Sequence, residues 1–354
     1  MASAAALALT TLPAAAAEGP RAPAPVRCAP FSAQIPLGPD AHGTQRIAGT
    51  LCEPLGRRAR TAQLLLHGGT YDHTYWTIRS DARSPSYAEA AARAGHAALA
   101  VDRLGTGRSA APHSSRFTDD THEKVVLHLT RVLRERGHRK VVLTGNSFGA
   151  TVARMVAARY PGAVQGLILT GEGAPPDEGA FEQMGALYRT ASGHPLLARR
   201  GLDDGYVALA PGGKAAWFYD HSTADPRVVL HDELHPEPDV YPADPGYGDV
   251  ALNRRITVPV LVVVGQNDRL ICGGSGSDCS SSAALRASAA PLYGPKARLE
   301  AIAVPRTGHV LNLHRTTSQW YDRAQECAPR LGHRLPQPRV QRGEPGPVVG
   351  QRHP

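Results

Sequence analysis

Lysine is nearly missing from this chain: only Lys124, Lys140, Lys214 and Lys296 stand among 39 basic residues, and the rest are Arg. The Arg, Ala and Gly bias reads as genome composition and carries no function. Aromatic residues are few, at 5%. The net charge is +8, and residues 329–354 hold five Arg against one Glu, so much of the excess lies in that tail. Elsewhere Arg is scattered. There is no basic stripe interleaved with aromatics, which argues against a nucleic-acid partner. No Cys-x-x-Cys pair occurs, so neither a zinc ribbon nor a redox dithiol is expected. No apolar run approaches the ~20 residues a membrane-spanning helix needs, so stable membrane insertion is not expected. Gly105-Thr106-Gly107 sits in a glycine-rich turn, but without the spacing of a phosphate-binding loop. No internal repeat is visible.

What is present is enough for a large core. A chain of 354 residues can form one sizeable α/β domain with an insertion. Residues 1–17 are small and apolar, like the hydrophobic stretch and Ala-x-Ala site of a secretory signal, although no Lys or Arg precedes them. Export follows as an expectation, with residues 1–25 as leader and linker. The five cysteines agree with it. Cys28 and Cys52 flank two strand-like runs that could lie side by side. Cys272 and Cys279 bracket a flexible Gly/Ser loop. Cys327 is left over.

Apolar runs with β character recur at 31–37, 45–51, 63–67, 97–102, 140–144, 166–170, 258–265 and 299–304. Helical patterns fall between most of them, at 86–94, 121–136, 150–159, 283–292 and 314–326. In the longest, Val125, Leu129, Val132 and Leu133 share one face. Strands alternating with helices predict a mostly parallel, eight-stranded sheet covered on both faces. The first two strands lack a helix between them and should form an antiparallel edge hairpin. Residues 171–257 break the rhythm. They carry helix-like pieces at 178–190 and 213–219, Pro-rich turns and no clear strand. Structureless loops of that length are rare, so a helical lid is expected at 175–256. The core is then 26–174 with 257–328, and 329–354 is a disordered basic tail.

One pentapeptide stands out. Gly145-Asn146-Ser147-Phe148-Gly149 joins the apolar run ending at Thr144 to a helical pattern opening at Ala150. A serine between glycines at a sharp strand-to-helix turn is lifted clear of the sheet, where its hydroxyl can attack a carbonyl. Other motifs accompany it: His67-Gly68-Gly69, the Asp102–Ser109 turn, the strand running into Asp268, and Gly308-His309. In this order, from about residue 31 to 326, the chain resembles the α/β-hydrolase family.

The resemblance implies Ser147 as nucleophile, His309 as its base and Asp268 as the acid that orients His309. Glu172, just past the strand at 166–170, is a rival acid. Backbone N–H groups of Gly69 and Phe148 would form the oxyanion hole, with Thr70 as neighbour to Gly69. His67 would support that turn, and Asp102 with Arg103 would order theirs. The expected activity is hydrolysis of a small-molecule ester, lactone or thioester, without cofactor or metal. Acyl transfer, peptidase or peroxidase-like chemistry on the same triad is an alternative, as is a retired binding protein. His231-Asp232-Glu233-Leu234-His235 superficially resembles a zinc-protease helix, but Asp232 stands where Glu is required and Pro236 follows at once. Tyr188, Tyr206, Trp217, Phe218 and Tyr219 could line a pocket, and Tyr71, Asp72, Tyr75 and Trp76 could border it.

Overall fold

The computed structural model describes residues 25–37, 43–80, 84–242 and 250–330. The leader and tail expected at 1–25 and 329–354 fall almost wholly outside them. Two long strands come first, β1 (Val26–Pro36) and β2 (Thr44–Pro54). They pair antiparallel, with Cys28 opposite Cys52 and a disulfide joining them. β3 (Thr61–Leu66), β4 (Ala97–Val101), β5 (Lys140–Asn146) and β6 (Gly166–Thr170) follow. After an insertion, β9 (Val260–Gly265) and β10 (Glu300–Val304) complete the sheet. The eight strands lie in the order β1-β2-β4-β3-β5-β6-β9-β10. Every pairing from β4 to β10 is parallel.

Parallel strands must be joined by crossovers, and the crossover helices cover both faces. Side chains alternate along each strand. Leu64, Leu66, Leu99, Val101, Leu143, Leu169 and Val262 therefore pack one way, with Leu129 and Leu133 of α3 (Thr121–Glu135) and Val152 and Val156 of α4 (Phe148–Arg159). Leu65, Ala98, Ala100, Val142, Ile168 and Val263 face the other layer. That layer is built on Trp76 of α1 (Thr74–Thr77), Tyr87 of α2 (Tyr87–Arg93) and Trp320 of α10 (Ser318–Arg330). Helix α2 starts at a capping box, Ser86 with Glu89, so its first turn is satisfied locally. Truncating a buried leucine such as Leu65 to Ala would cost about 2–5 kcal/mol.

The insertion is not wholly helical. It holds α5 (Glu178–Gly185), α6 (Gly213–Phe218), α7 (Pro226–Leu234) and α8 (Val250–Asn253). It also holds a two-stranded antiparallel ribbon, β7 (Tyr188–Thr190) with β8 (Val207–Leu209). The helix expected over 178–190 therefore ends early. Past Ala186 the chain turns, and Tyr188 and Thr190, which suit a pleated surface, pair with β8 instead. The last helix begins at Ser318 rather than 314, because His314 bridges to Ala224 in the insertion. α9 (Ser282–Ala289) completes the helices, closing as a single turn of 3-10 helix to Leu292.

Candidate active site

Ser147 stands between β5 and α4 with φ 48° and ψ −121°. Few non-glycine residues adopt positive φ, and holding one there costs about 1–3 kcal/mol that the surroundings must supply. The flanking glycines explain how the turn closes. A Cβ on Gly145 would strike the backbone of Gly149 and Ala150, and one on Gly149 would strike the carbonyl oxygens of Leu66 and His67. Glycine here permits backbones to touch.

Asn146 ties the serine turn to its neighbours. Its Nδ2 donates to Thr170 O at 3.2 Å, to Thr170 Oγ1 at 3.1 Å and to His309 O at 3.4 Å. This brings the loop after β10 beside the end of β5. His309 is buried, and its Nδ1 lies 2.9 Å from Asp268 Oδ2, itself fully buried. The other ring nitrogen, Nε2, is buried and has no hydrogen-bond partner among the described residues. Phe218 covers the imidazole with ring centroids 5.2 Å apart. Asp268 is fixed in turn: its Oδ1 accepts from the Leu270 amide at 3.0 Å, and its carbonyl accepts from Cys272 at 2.8 Å. Cys272 is bridged to Cys279.

Glu172 has a different partner from the one considered for it. Arg154 Nε of α4 donates to its Oε1 at 2.9 Å, and the Arg154 side chain is 1% exposed. A guanidinium buried that deeply needs a carboxylate beside it. The structure thus sets Asp268, not Glu172, against His309.

His314 holds the histidine loop. Its Nδ1 lies 2.9 Å from Val310 O, and its Nε2 accepts from the amides of Gly308 at 3.2 Å and Asp220 at 3.0 Å. Burial pushes its pKa down to about 4, consistent with a neutral ring. Nothing in the local sequence around His314 announces this role.

The His67-Gly68-Gly69 turn is held from below. His67 Nε2 accepts from the Arg103 amide at 3.0 Å. Burial, and next the Arg103 charge, hold its pKa well below the usual histidine value. Arg103 is the centre of this region. It donates to His67 O and Gly68 O, lies over the Phe148 ring, and forms a bidentate ion pair with buried Asp239 of the insertion. Asp239 also accepts from the Thr70 amide at 3.3 Å. Thr70 itself has φ 62°. The Thr70 amide is therefore engaged. The Phe148 amide opens α4, where a first-turn N–H has no intrahelical acceptor. Asp102 orders its own loop, accepting from His73 at 2.6 Å and from the Arg108 amide at 2.9 Å.

A cavity of about 330 Å³ opens on Ser147. Gly69 and Phe148 line it from the sheet domain, and Phe181, Met184, Tyr188, Phe218 and Tyr241 from the insertion. Of the aromatics singled out in sequence, Tyr188 and Phe218 reach this cavity. Tyr206 packs in a separate small cluster. Trp217 lies under Arg269. Tyr71 and Tyr219 both donate to Asp232 at 2.7 Å, whose other oxygen accepts from Lys214 at 2.7 Å. Tyr75 and Trp76 pack in the core, and Asp72 Oδ1 accepts from the Thr74 amide at 2.8 Å, at the start of α1. His231 and His235 stack on each other, centroids 4.0 Å apart, at the end of α7. Asp239 and Tyr241 were not legible as site residues, since they lie in the Pro-rich stretch after α7.

Comparison with known proteins agrees with this fold. A family model described as "Alpha/beta hydrolase family" matches residues 63–322. A probable lysophospholipase of Arabidopsis thaliana, BODYGUARD 1, is 25% identical over 184 residues, covering 52% of this chain. That match spans only 36% of the plant protein's length. Among solved structures, naproxen esterase of Bacillus subtilis superposes with a TM-score of 0.57 at 18% identity, covering 86% of this chain and 92% of that one. An esterase of Thermogutta terrifontis gives 0.55 at 19% identity, covering 86% and 100%. At these identities the structural likeness is one of fold.

Proposed function

The chain belongs to the alpha/beta hydrolase family, and from that premise we propose that it is a serine hydrolase cleaving a carboxylic ester, lactone or thioester through an acyl-enzyme on Ser147. The observation that carries this reading is the buried Asp268–His309 pair, whose free Nε2 belongs to the loop that Asn146 ties to the serine turn.

In this reaction Ser147 Oγ attacks the substrate carbonyl while His309 Nε2 takes the hydroxyl proton. Asp268 fixes the tautomer with its hydrogen bond to Nδ1 and stabilises the imidazolium. The amides of Gly69 and Phe148 receive the oxyanion. Collapse expels the alcohol, or thiol, which takes the proton from His309. Water then attacks the acyl-enzyme with His309 again as base, releasing the acid and restoring Ser147. Only residues of the chain are used.

The cavity walls are largely apolar, with Phe181, Met184, Val207 and Leu270 beside the two tyrosines. Such walls suit a hydrocarbon acyl or alcohol group. The name of the Arabidopsis relative makes lysophospholipids a reasonable member of the first substrate panel. The insertion, which supplies most of these walls, acts as the lid. Export fits the two disulfides, a bond type kept in oxidising compartments. Among the described residues no helix is long and apolar enough to cross a membrane.

A fluorophosphonate probe tests the reading. It should label the purified protein, with the adduct on Ser147. Ser147→Ala should lose both labelling and p-nitrophenyl ester turnover. Turnover by that variant would sink the mechanism. Ser147→Gly should be equally inactive yet more stable by about 1 kcal/mol, because glycine tolerates the positive φ.

A further inference from the structure

The insertion sends one strap down to the serine turn, Asp239-Val240-Tyr241. Asp239 anchors it on Arg103, and the Val240 carbonyl faces His122 Nε2 at 3.4 Å. The strap delivers the Tyr241 ring edge-on to Phe148, with centroids 4.9 Å apart. Its hydroxyl rests against Gly69, filling the position a side chain there would occupy. Gly69 and Phe148 are the two residues whose amides receive the oxyanion in the mechanism above. Tyr241 also lines the cavity that opens on Ser147.

The hydrogen-bond count at this hydroxyl is informative. Tyr188 Oη and Tyr241 Oη lie 3.0 Å apart, and either can donate. Two phenols carry two protons, and their mutual bond uses one. Neither hydroxyl has another hydrogen-bond partner among the described residues. One proton of the pair is left without an acceptor among the described residues, at the rim of a cavity where negative charge would develop.

We propose that Tyr241 donates that proton as a third hydrogen bond to the oxyanion, with Tyr188 donating to Tyr241 and so polarising it. This rests on the serine-hydrolase reading. The arrangement gives the insertion a catalytic part beyond shaping the pocket. A donor fixed by Asp239 and Phe148 needs little reorganisation as charge appears, which is where such groups act most strongly. Burial, with Tyr188 and Asp239 as lesser causes, keeps the phenol proton on at neutral pH.

The test is Tyr241→Phe beside Tyr188→Phe, with an aryl acetate as substrate and a trifluoromethyl ketone as oxyanion mimic. Tyr241→Phe should lower kcat by on the order of a hundredfold with little change in KM. It should weaken the trifluoromethyl ketone in proportion and raise the pH at which the bound hemiketal ionises. Tyr188→Phe should lose less on every measure. A Tyr241→Phe enzyme with wild-type kcat and hemiketal ionisation overturns the assignment, as does a larger loss in Tyr188→Phe. Fluorophosphonate labelling of the wild type separates the two levels. A labelled wild type with an unaffected variant refutes Tyr241 alone, whereas an unlabelled wild type refutes the hydrolase reading and this assignment with it.

Discussion

Asp268 Oδ2 sits 2.9 Å from His309 Nδ1 with both side chains buried, while Glu172, the other acid near the strand ends, is paired with Arg154. This difference of partners can be read in kinetics. Asp268→Asn should lower kcat by about four orders of magnitude, because the amide favours the wrong histidine tautomer. Glu172→Gln should leave kcat nearly intact but reduce the melting temperature, since the buried Arg154 guanidinium then faces a neutral amide where it now donates to a carboxylate. Comparing kcat and melting temperature for the two variants decides the matter. A catalytic loss at Glu172 equal to that at Asp268 would reverse the roles.

The two disulfides should separate in the same way. On the chain-entropy account, removing Cys272–Cys279 costs about 2.5 kcal/mol and removing Cys28–Cys52 about 3.5 kcal/mol. Only the first closes the loop that holds Asp268. Cys272→Ser/Cys279→Ser should lower both stability and kcat. Cys28→Ser/Cys52→Ser should lower stability alone, as that bridge joins strands at the far edge of the sheet. Thermal melts and initial rates on both variants check this. Equal rates would remove the link between the loop and the acid.

A third prediction concerns acid. His314 must stay neutral to accept from the Gly308 and Asp220 amides, and its pKa is held near 4, against 6.5 for a free ring. His122 is displaced to about 4 as well, by burial and then by Arg103. A depressed folded value means the unfolded chain binds protons more readily between these limits. The stability contribution is therefore full above pH 6.5, falls as pH drops below it, and is gone below about 4. Melting temperature measured from pH 8 to 4 should be flat at first and then decline. His314→Gln should start lower and decline less, with the share from His122 remaining. A decline of unchanged steepness would remove His314 from the account.

The sheet was readable in advance because each of its central strands is a continuous apolar run, and such runs fit only burial on both faces. Ser147, His309, Asp268 and Gly69 could be singled out as candidates because their local chemistry is distinctive: glycines that let backbones touch, and an acid at a strand end. Asp239, Tyr241 and His314 carry no such mark. Each has a partner far away in the chain, Arg103 and Asp239 standing 136 positions apart. Their side chains are ordinary ones in Pro-rich or irregular stretches. The β7–β8 ribbon was missed for a related reason. Three-residue strands are too short to show a period, and pairing with a distant segment decides them.

The Arg103–Asp239 pair allows a sharper test, because it can be broken in one half or removed whole. Arg103→Met should destabilise the protein by about 3–5 kcal/mol, since Asp239 stays buried without its cation. Asp239→Leu should do comparable harm from the other side. The double variant replaces both charges with apolar groups of similar size. It should recover much of the stability, because a buried ion pair seldom outperforms a packed apolar one. Activity should not return with it. Arg103 also donates to the His67 and Gly68 carbonyls, and Asp239 accepts from Thr70, so both sides of the His67-Gly68-Gly69 turn lose their guides together. Denaturant melts and ester turnover on the three variants supply the cycle. A double variant that regains stability and full kcat would show that the pair only holds the insertion down, and that the turn positions itself.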